Sequence, residues 1–304
     1  MAKISIIMAI YNAEKTVKRM LDSLENQDFT DFEVLMINDG STDKTKDILE
    51  EYANNDVRFK LIDKKNEGVS ATRQKGIELA SGEYLIHADS DDWLEPQMLA
   101  RLYDKAQKEK SDIVISDFYR NYSSKQVYIE QRPSSLKPDV VLREMFQHLH
   151  GSCWNKLVRR ECYHKFNVCF PQRINYCEDL ITWVQLLLHP EIKISYLSEA
   201  YYHYFENNTS ITRNYTRTTY EMRLKYLENL NQVLASSYDD VKEQASYSVF
   251  VEGVVFNVLT RKEVLNGLSS YRCKILKNNS FKWKIGFLFL LLGFNKLASR
   301  LIHF

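Results

Sequence analysis

Short apolar runs alternate with helical stretches over the first 118 residues, and this alternation constrains the fold more than any other feature. The runs lie at 4–10, 33–39, 58–63, 83–89 and 112–118. The helical stretches lie between them, near 13–26, 43–54, 69–80 and 96–109. A short, continuous apolar run is typical of a strand that is buried on both faces, as in a parallel sheet covered by helices. The pattern therefore predicts a doubly wound, mostly parallel α/β domain flanked by helices.

The rest of the chain is less regular. "KQVYIEQR" favours an edge strand, 138–149 a helix, and "CEDLITWVQLLLHP" a helix that begins at its acidic pair. From about 217 the pattern is helical again, and no acidic residue follows Glu263. The predicted parts are a sheet domain at 1–215, with halves of about 1–118 and 119–215, and a helical extension at 216–304.

The predicted strands of the sheet domain end in polar residues. The ends read Tyr11-Asn12, Asn38-Asp39, Asp63 and Asp89-Ser90-Asp91. In open α/β sheets, ligands bind in the crevice beyond the carboxyl ends of the strands. Any one of these residues also suits a turn or a helix cap, and we assign Asp43 in "GSTDKT" to a cap. As a set at one edge, the others favour a ligand site.

The acidic motif "ADSDDW", residues 88–93, is the most distinctive of these ends. Side chains alternate along an extended segment, so Asp89 and Asp91 point to the same side. Mg²⁺ and Mn²⁺ bind through one or two carboxylates together with the phosphates of a substrate. Neither G-x-x-x-x-G-K-[ST] nor G-x-G-x-x-G occurs in the chain, which disfavours a P-loop or an ordinary dinucleotide site. The motif predicts a divalent cation site, with a solvated acidic turn as the alternative.

Three segments, taken in order, resemble glycosyltransferase family 2. They read "SIIMAIYNAEKTVKRMLDSLENQDFTDFEVLMINDGSTDKT", "NEGVSATRQKGIELASGEYLIHADSDDWLEP" and "YCEDLITW". The resemblance covers roughly the first 210 residues. It implies the GT-A fold and inverting transfer of a sugar from a nucleotide-diphosphate donor, usually a UDP-sugar, with Mn²⁺ or Mg²⁺ as cofactor. It also implies that the first half of the sheet domain binds the nucleotide sugar and the second half the acceptor.

The resemblance implies roles for individual positions. The nucleotide-sugar-binding residues that it implies are Ala9, Tyr11, Asp39, Arg73, Asp89 and Ser90. Asp39 matches the aspartate that hydrogen-bonds the base, Tyr11 an aromatic residue beside the base, and Arg73 an arginine at the nucleotide. Two positions depart from the family pattern, since Ala9 replaces a frequent proline and Gln74 a frequent asparagine.

The acidic motif has its own place in this resemblance. Asp89 and Ser90 match the ribose side of the family site, and Asp91 matches the residue nearest the metal. Asp92 is expected to support the turn into the next helix. The segment "YYHYFENNTSIT" resembles one that folds over the diphosphate, often with an arginine where this chain has Phe205.

The pair Glu178-Asp179 in "CEDLITW" matches the catalytic carboxylates of the family. Sugar transfer to a hydroxyl needs a base that takes the proton as the oxygen attacks the anomeric carbon. The second carboxylate has this role in the family, so Asp179 is the predicted base, and Glu178 is expected to flank it near the acceptor. Without the resemblance, both residues are explained by their favourable position at the positive end of a helix.

The segment 281–304 is predicted to lie on a membrane surface. Its uninterrupted apolar run, 285–294, has ten residues, whereas a spanning helix needs about 20. Basic residues and Trp283 flank the run, as in helices that lie in the headgroup plane. The N-terminus does not read as a signal peptide. We expect a cytoplasmic enzyme, peripheral on the inner face of the cell membrane, with a lipid-linked glycan of bacterial surface polysaccharide as acceptor. A helix packed on the domain, or on a second copy in a homo-oligomer, is the alternative.

Composition and missing motifs limit other functions. The formal net charge of +1 predicts no nucleic-acid partner. A nucleotidyltransferase would also use paired aspartates for a metal, but "AIYNAEKT" lacks the Gly-rich basic loop that such enzymes carry near the first strand. An inactive sugar-nucleotide-binding or membrane-scaffolding protein would not need Asp39, Asp91 and Asp179 together. We therefore predict an active hexosyltransferase.

Overall fold

The computed structural model describes residues 2–206, 215–277 and 280–302. The chain divides into two compact units, Met1–Asn207 and Asn208–Phe304. The sequence predicted this division at 215. The first unit contains every residue that was predicted to take part in catalysis or donor binding.

The first unit alternates strands and helices up to its fourth helix. Its strands are β1 (Ile4–Ile10), β2 (Phe32–Asp39), β3 (Phe59–Lys64), β4 (Tyr84–His87), β5 (Trp93–Leu94), β6 (Ile113–Asn121), β7 (Gln126–Ile129), β8 (Lys156–Arg159) and β9 (Ile194–Phe205). Its helices are α1 (Val17–Glu25), α2 (Thr45–Asn55), α3 (Val69–Leu79), α4 (Met98–Glu109), α5 (Pro138–Glu144), α6 (Arg160–Lys165) and α7 (Glu178–Leu187). The alternation from β1 to α4 confirms the α/β pattern that the apolar runs predicted.

These strands form one nine-stranded sheet in the order β3-β2-β1-β4-β8-β6-β9-β5, with β7 paired to β6. The pairs among β1, β2, β3 and β4 are parallel, as is the pair of β6 with β9. Antiparallel pairing comes from β8, which lies between β4 and β6, and from β5 and β7. The sheet is thus parallel in the half that the sequence described best and mixed in the other half.

The central strands are apolar because helices cover both of their faces. On one face, Ile6 and Met8 of β1 pack in a core cluster with Met20 and Leu21 of α1. On the other face α3 approaches so closely that a Cβ at Gly76 would lie 2.3 Å from a side-chain carbon of Ile7. This close contact fixes α3, and with it Arg73, against the sheet.

One carboxylate is buried at the amino end of the sheet. Glu33, near the start of β2, is 3% exposed. It accepts hydrogen bonds from Ser5 Oγ at 2.6 Å, Lys60 Nζ at 2.6 Å, and Ser81 N and Oγ at 2.7 and 2.8 Å. Burial alone would raise the pKa of Glu33, but these donors outweigh it and lower the pKa to about 2. The ionised group therefore ties β1, β2 and β3 to the turn before β4.

The second unit is helical in its described part. Its helices are α8 (Arg217–Val233), α9 (Asp239–Val255), α10 (Arg261–Ser270), α11 (Arg272–Lys277), α12 (Phe281–Leu291) and α13 (Asn295–Leu301), with a 3-10 turn at Ser236–Tyr238. Phe287 and Leu290 of α12 pack in a core with residues of α9 and α10. In the three described stretches of the chain, no helix is both long enough and apolar enough to cross a membrane.

Candidate active site

The loops that follow β1 and β2 are joined by reciprocal hydrogen bonds. Thr42 N donates to Asn12 Oδ1 at 2.8 Å, with Asn12 in the left-handed region at φ 48°. Thr45 N and Glu14 N donate to the two carboxylate oxygens of Asp43 at 3.0 and 3.2 Å. Asp43 therefore accepts a hydrogen bond from the first amide of α2 from one residue before the cap position, which is Lys44 and not Asp43 as the sequence suggested, and it also binds the loop of the neighbouring strand. These bonds hold the rim of the sheet edge in place.

Tyr11 and Ala9 lie at the end of β1 on this rim. Ala9 is half-buried and pairs with Ile37, two residues before Asp39. Tyr11 is 51% exposed. An exposed aromatic ring at the edge of a sheet offers a face on which a base can stack.

Asp39 is buried at the end of β2 and is already held by the protein. Its carboxylate accepts hydrogen bonds from Lys64 Nζ at 2.6 Å, Glu67 N at 3.0 Å and Gly68 N at 2.9 Å. Gly68 begins α3 at φ 90°, and a Cβ there would lie 2.4 Å from Oδ1 of Asn175. A carboxylate has about four lone-pair sites, so one remains to receive a donor from a ligand.

Arg73 of α3 connects residues that are far apart in sequence. Its guanidinium donates to Glu178 at 2.7 Å and to Asp89 at 3.1 Å, and lies 3.2 Å from an oxygen of Asp179. The residue is only 6% exposed. Burial lowers the pKa of Arg73, but the charges of Asp179, Glu178 and Asp89 raise it well above its ordinary value. Arg73 thus contacts the acidic motif and the predicted base, whereas the resemblance implied that it contacts the nucleotide.

Glu178 and Asp179 open α7 and differ in their exposure. Cys177 precedes them in the left-handed region at φ 62°. The side chain of Glu178 is 6% exposed and that of Asp179 is 18% exposed. Burial and the Asp179 charge raise the pKa of Glu178. Glu178 is therefore turned inward to support Arg73, while Asp179 offers the more accessible carboxylate.

The acidic motif is braced by β9. Tyr202 Oη donates to Asp92 Oδ2 at 2.7 Å and accepts a hydrogen bond from Asp89 N at 3.1 Å. Phe205 N donates to Asp92 Oδ1 at 2.7 Å. Burial, with the charges of Asp89 and Asp91, raises the pKa of Asp92 well above its usual range. Asp92 therefore supports the turn as predicted, but through β9 instead of the following helix.

The remaining carboxylates of the motif fit a divalent cation that a substrate helps to bind. The pKa of Asp91 is raised to about 6 by burial and by the charge of Asp89, and a cation beside this carboxylate would favour its ionised form. Ser90 lies between them in the turn, half-buried. No group of three or more His, Cys, Asp or Glu side chains among the described residues is arranged to hold a metal by itself. One or two carboxylates plus substrate phosphates are the usual magnesium or manganese site in such enzymes.

His203 is a structural residue next to this site. Its Nδ1 lies 3.2 Å from Asn121 Nδ2, which can only donate, so Nε2 carries the proton and donates to Glu95 at 2.8 Å. Burial lowers the pKa of His203. The ring stacks between Trp93 and Tyr119, with ring centres 4.7 and 4.9 Å away. These contacts hold the ring in place and give His203 a structural role.

The structure also brings in residues that sequence reasoning missed. Tyr202 braces the acidic motif, and Arg19 donates to the backbone oxygen of Asp91. Each bond spans more than 70 positions of the chain, and no local pattern marks these two residues. The segment "YYHYFENNTSIT", residues 201–212, was predicted to fold over the diphosphate; its part up to Phe205 forms the end of β9, and 207–212 lie outside the described residues.

Comparison with known proteins decides the family. Residues 5–166 match the family model "Glycosyl transferase family 2". The chain belongs to glycosyltransferase family 2. The protein EpsH of Bacillus subtilis (strain 168), which is named as a glycosyltransferase, is 33% identical to this chain over 232 residues, 74% of this chain and 67% of EpsH. The chain is thus a bacterial-type family 2 glycosyltransferase, as the three sequence segments implied.

Solved structures of similar proteins confirm the GT-A fold. The crystal structure of Staphylococcus aureus TarS 1–349 in complex with UDP-GlcNAc has a TM-score of 0.68 at 22% identity, covering 98% of this chain and 90% of that chain. The mannosyltransferase PcManGT from Pyrobaculum calidifontis, in complex with GDP-Man and Mn²⁺, has a TM-score of 0.57 at 14% identity, covering 99% of this chain and 85% of that chain. This chain aligns with only 43% of the full-length TarS of strain Mu50. The shared part is therefore the family 2 fold, with helices after the sheet.

Proposed function

We propose that this family 2 glycosyltransferase moves a sugar from a nucleotide-diphosphate donor, a UDP-sugar, to an acceptor hydroxyl with inversion. Asp179 is the base and Asp91 is the metal ligand. The observation that carries the proposal is that Arg73 bonds to both Asp89 of the acidic motif and Asp179 of α7. One guanidinium thus sets the distance between two parts of the site. The first is the Asp179 carboxylate, which takes the proton, and the second is the acidic motif, which faces the leaving group.

The reaction is a single displacement. The acceptor oxygen attacks the anomeric carbon while its proton passes to the carboxylate of Asp179, and the bond from that carbon to the diphosphate oxygen breaks. The divalent cation, when bound, acts as a Lewis acid that neutralises the departing diphosphate. Arg73 holds Asp179 at a fixed distance from the acidic motif, so attack and departure occur on opposite sides of the sugar.

The donor assignment rests on the rim of the sheet. Asp39 has one lone-pair site left for a base N–H, and the exposed Tyr11 ring offers a stacking face. The UDP-GlcNAc in the TarS structure supports a UDP-sugar, and the GDP-Man and Mn²⁺ in PcManGT support a nucleotide sugar with a divalent cation. Ala9 would approach this donor with its backbone, and Ser90 would contact the ribose of the donor.

The acceptor is a glycan of the bacterial surface, carried on a lipid. Two poly(ribitol-phosphate) glycosyltransferases, including TarS, align with 66–79% of this chain. Their names describe transfer onto poly(ribitol-phosphate), which supports a polymeric acceptor. The half of the sheet domain that contains Asp179 would receive it.

The decisive experiment measures release of UDP from a panel of UDP-sugars, with Mn²⁺ and with a chelator. We expect slow Mn²⁺-dependent release from one donor without acceptor, and loss of Mn²⁺-dependent binding and release in Asp91→Ala. Asp104→Ala is the matched control, because this exposed aspartate lies on α4, outside the acidic motif and the strand ends. Full activity of Asp91→Ala at saturating Mn²⁺ would overturn the metal assignment. Pyrophosphate release from UTP and a sugar phosphate would identify a nucleotidyltransferase instead.

A second part of the proposal is that α12 and α13 rest on an anionic membrane surface. Phe281, Leu288, Leu292 and Phe294 are 55–76% exposed, although they are large and apolar. The basic residues around them are Lys282, Lys284, Lys296 and Arg300. All four are exposed, and no ion pair joins any of them to a described residue. An apolar face bordered by exposed cations suits a helix that lies in the headgroup layer.

Point variants test this membrane contact better than deletion, because Phe287 and Leu290 of α12 belong to the core of the unit. The variant Leu288→Gln/Leu292→Gln should co-sediment less with anionic vesicles than the unchanged chain, and neither should bind neutral vesicles. Val57→Gln is the control, since this residue is 93% exposed but lies in the first unit. If the double variant binds vesicles normally, the membrane role fails. If it converts a dimer to a monomer, the face is a homo-oligomer contact.

A further inference from the structure

A column of stacked side chains reaches the acidic motif from α1. The rings of Tyr119, His203 and Trp93 lie one on another, with centres 4.9 and 4.7 Å apart. The guanidinium carbon of Arg19 lies 4.4 Å from the centre of the Trp93 ring and 4.8 Å from that of Phe205. Planar cations stack well on aromatic faces, so the column fixes the position of the Arg19 guanidinium.

Arg19 is directed at the main chain of the motif. Its Nη2 donates a hydrogen bond to the backbone carbonyl oxygen of Asp91. Its Nε is buried and meets no acceptor in the described part of the chain. Burying an unsatisfied donor costs free energy, as does immobilising a long side chain. An apolar residue would fill this space without either cost, so the guanidinium itself is what the site requires.

We infer that Arg19 is a positioning residue for metal binding: it holds the peptide of Asp91 so that the carboxylate faces the donor diphosphate. The inference rests on the proposed function, because Asp91 must be the metal ligand. It also explains why a phenylalanine, Phe205, can occupy the position where the family often has an arginine. Here its ring packs against the guanidinium of Arg19. Groups that orient a ligand in this way are worth about 10- to 100-fold in metal affinity.

The test compares Arg19→Met and Arg19→Lys with a neighbouring control, Lys18→Met, in the whole chain. Lys18 lies on the same turn of α1, but its Nζ bonds to Asp22 and Tyr52. Mn²⁺ affinity in the presence of UDP is measured from the electron paramagnetic resonance signal of free Mn²⁺. UDP affinity without metal is measured by calorimetry.

We expect Arg19→Met to weaken Mn²⁺ binding about 10- to 100-fold and to leave metal-free UDP binding unchanged. Arg19→Lys should recover only part of the loss, since an ammonium cannot stack and reach the carbonyl oxygen in the same geometry. Lys18→Met should behave as the unchanged chain. Equal loss in Arg19→Met and Lys18→Met would indicate a general effect on α1 and overturn the inference.

Asp91→Ala separates this inference from the proposed function. If Asp91→Ala loses Mn²⁺ binding while both Arg19 variants keep it, the positioning role is wrong and the metal assignment stands. If Asp91→Ala binds Mn²⁺ normally, the metal assignment itself is wrong. If Arg19→Met weakens metal-free UDP binding as much as Mn²⁺ binding, Arg19 contacts the phosphates directly and is not a positioning residue.

Discussion

The two ends of the same sheet each bury charged groups, but they balance them in opposite ways. At the amino end, the single carboxylate of Glu33 receives four hydrogen bonds. At the carboxyl end, the single guanidinium of Arg73 is shared by three carboxylates, those of Asp89, Glu178 and Asp179. At the amino end the donors match the lone-pair sites of the carboxylate, whereas at the carboxyl end there is more negative charge than the cation can neutralise. The first arrangement holds strands together, whereas the second leaves carboxylates that a substrate and a cation can use.

The pKa shifts follow this difference. The donors around Glu33 lower its pKa from 4.5 to about 2, so its ionised form stabilises the fold at neutral pH. Burial and neighbouring charge raise the pKa of Glu178, and they raise that of Asp91 to about 6. Raised carboxylate pKa values reduce stability at neutral pH, and such groups cluster at functional sites. The comparison predicts that removing a carboxylate at the carboxyl end changes activity more than stability, whereas removing the Glu33 carboxylate at the amino end, or the Arg73 cation itself, lowers stability.

The largest expected effect is on turnover in Asp179→Asn. Asparagine keeps the shape of the side chain but cannot accept the proton, so kcat should fall by roughly two to four orders of magnitude. UDP affinity and thermal stability should barely change, because Asp179 faces the acceptor. Steady-state kinetics with calorimetry of UDP binding measures both. A comparable loss of UDP affinity would contradict the assignment.

The next largest effect is on stability in Arg73→Met, which would leave three carboxylates without their cation. Removing one partner of a buried charge cluster costs about 3–5 kcal/mol, measured by urea unfolding at pH 7. The control is Arg101→Met, whose partner Glu199 is 35% exposed, and exposed ion pairs contribute less than about 1 kcal/mol. Equal losses of stability in the two variants would show that the buried Arg73 cluster contributes no more to stability than an exposed ion pair.

The sequence predicted the parallel half of the sheet because burial there leaves a local signal. Strands covered on both faces must be apolar at nearly every position, as in "ISIIMAI", and the polar residues at their ends stand out. The sequence also predicted an edge strand in "KQVYIEQR", where the half-exposed β7 lies. The short antiparallel strands β5 and β8 have no such pattern, because their pairing is set by partners far along the chain.

The candidate site was predictable only as a set of residues, without the contacts between them. Resemblance identified Arg73, Asp89 and Asp179, but the bond from Arg73 to Glu178 spans 105 positions, and no pattern in the sequence records it. Arg19 carried no signal, since a basic residue on an amphipathic helix is usually solvated. Glu33 was read as the first residue of an apolar run, because sequence periodicity does not reveal a buried carboxylate with matched donors.

Glu33→Gln should cost less than Arg73→Met but more than a surface change. The lowering of the Glu33 pKa from 4.5 to about 2 corresponds to about 3.5 kcal/mol at pH 7, at about 1.4 kcal/mol per pKa unit, and glutamine keeps part of this through its remaining hydrogen bonds. Because the folded pKa is lowered, this stability is complete above the ordinary pKa of 4.5 and is lost as the pH falls toward 2. Urea unfolding from pH 7 to pH 2 should therefore show the difference between the two proteins shrinking. A difference that stays constant with pH would mean that packing, and not charge, is responsible. Mn²⁺-dependent turnover should stay unchanged.

The smallest effect, and one of opposite sign, is expected for Glu178→Gln. The folded state keeps a proton that the unfolded chain releases above pH 4.5, so the stability of the unchanged protein falls as the pH rises from that value toward 8. Glutamine does not titrate, so the variant does not lose stability in this way, but its hydrogen bond to Arg73 is weaker than that of a carboxylate. The net gain in the free energy of unfolding is about 1 kcal/mol at pH 8, or about 2–4 °C in Tm. The Tm is measured at pH 5 and pH 8, and the gain should appear only at pH 8. Turnover should fall far less than in Asp179→Asn, because Glu178 is turned away from the acceptor. If Glu178→Gln abolishes turnover and Asp179→Asn does not, Glu178 is the base, and its burial against Arg73 changes when the acceptor binds.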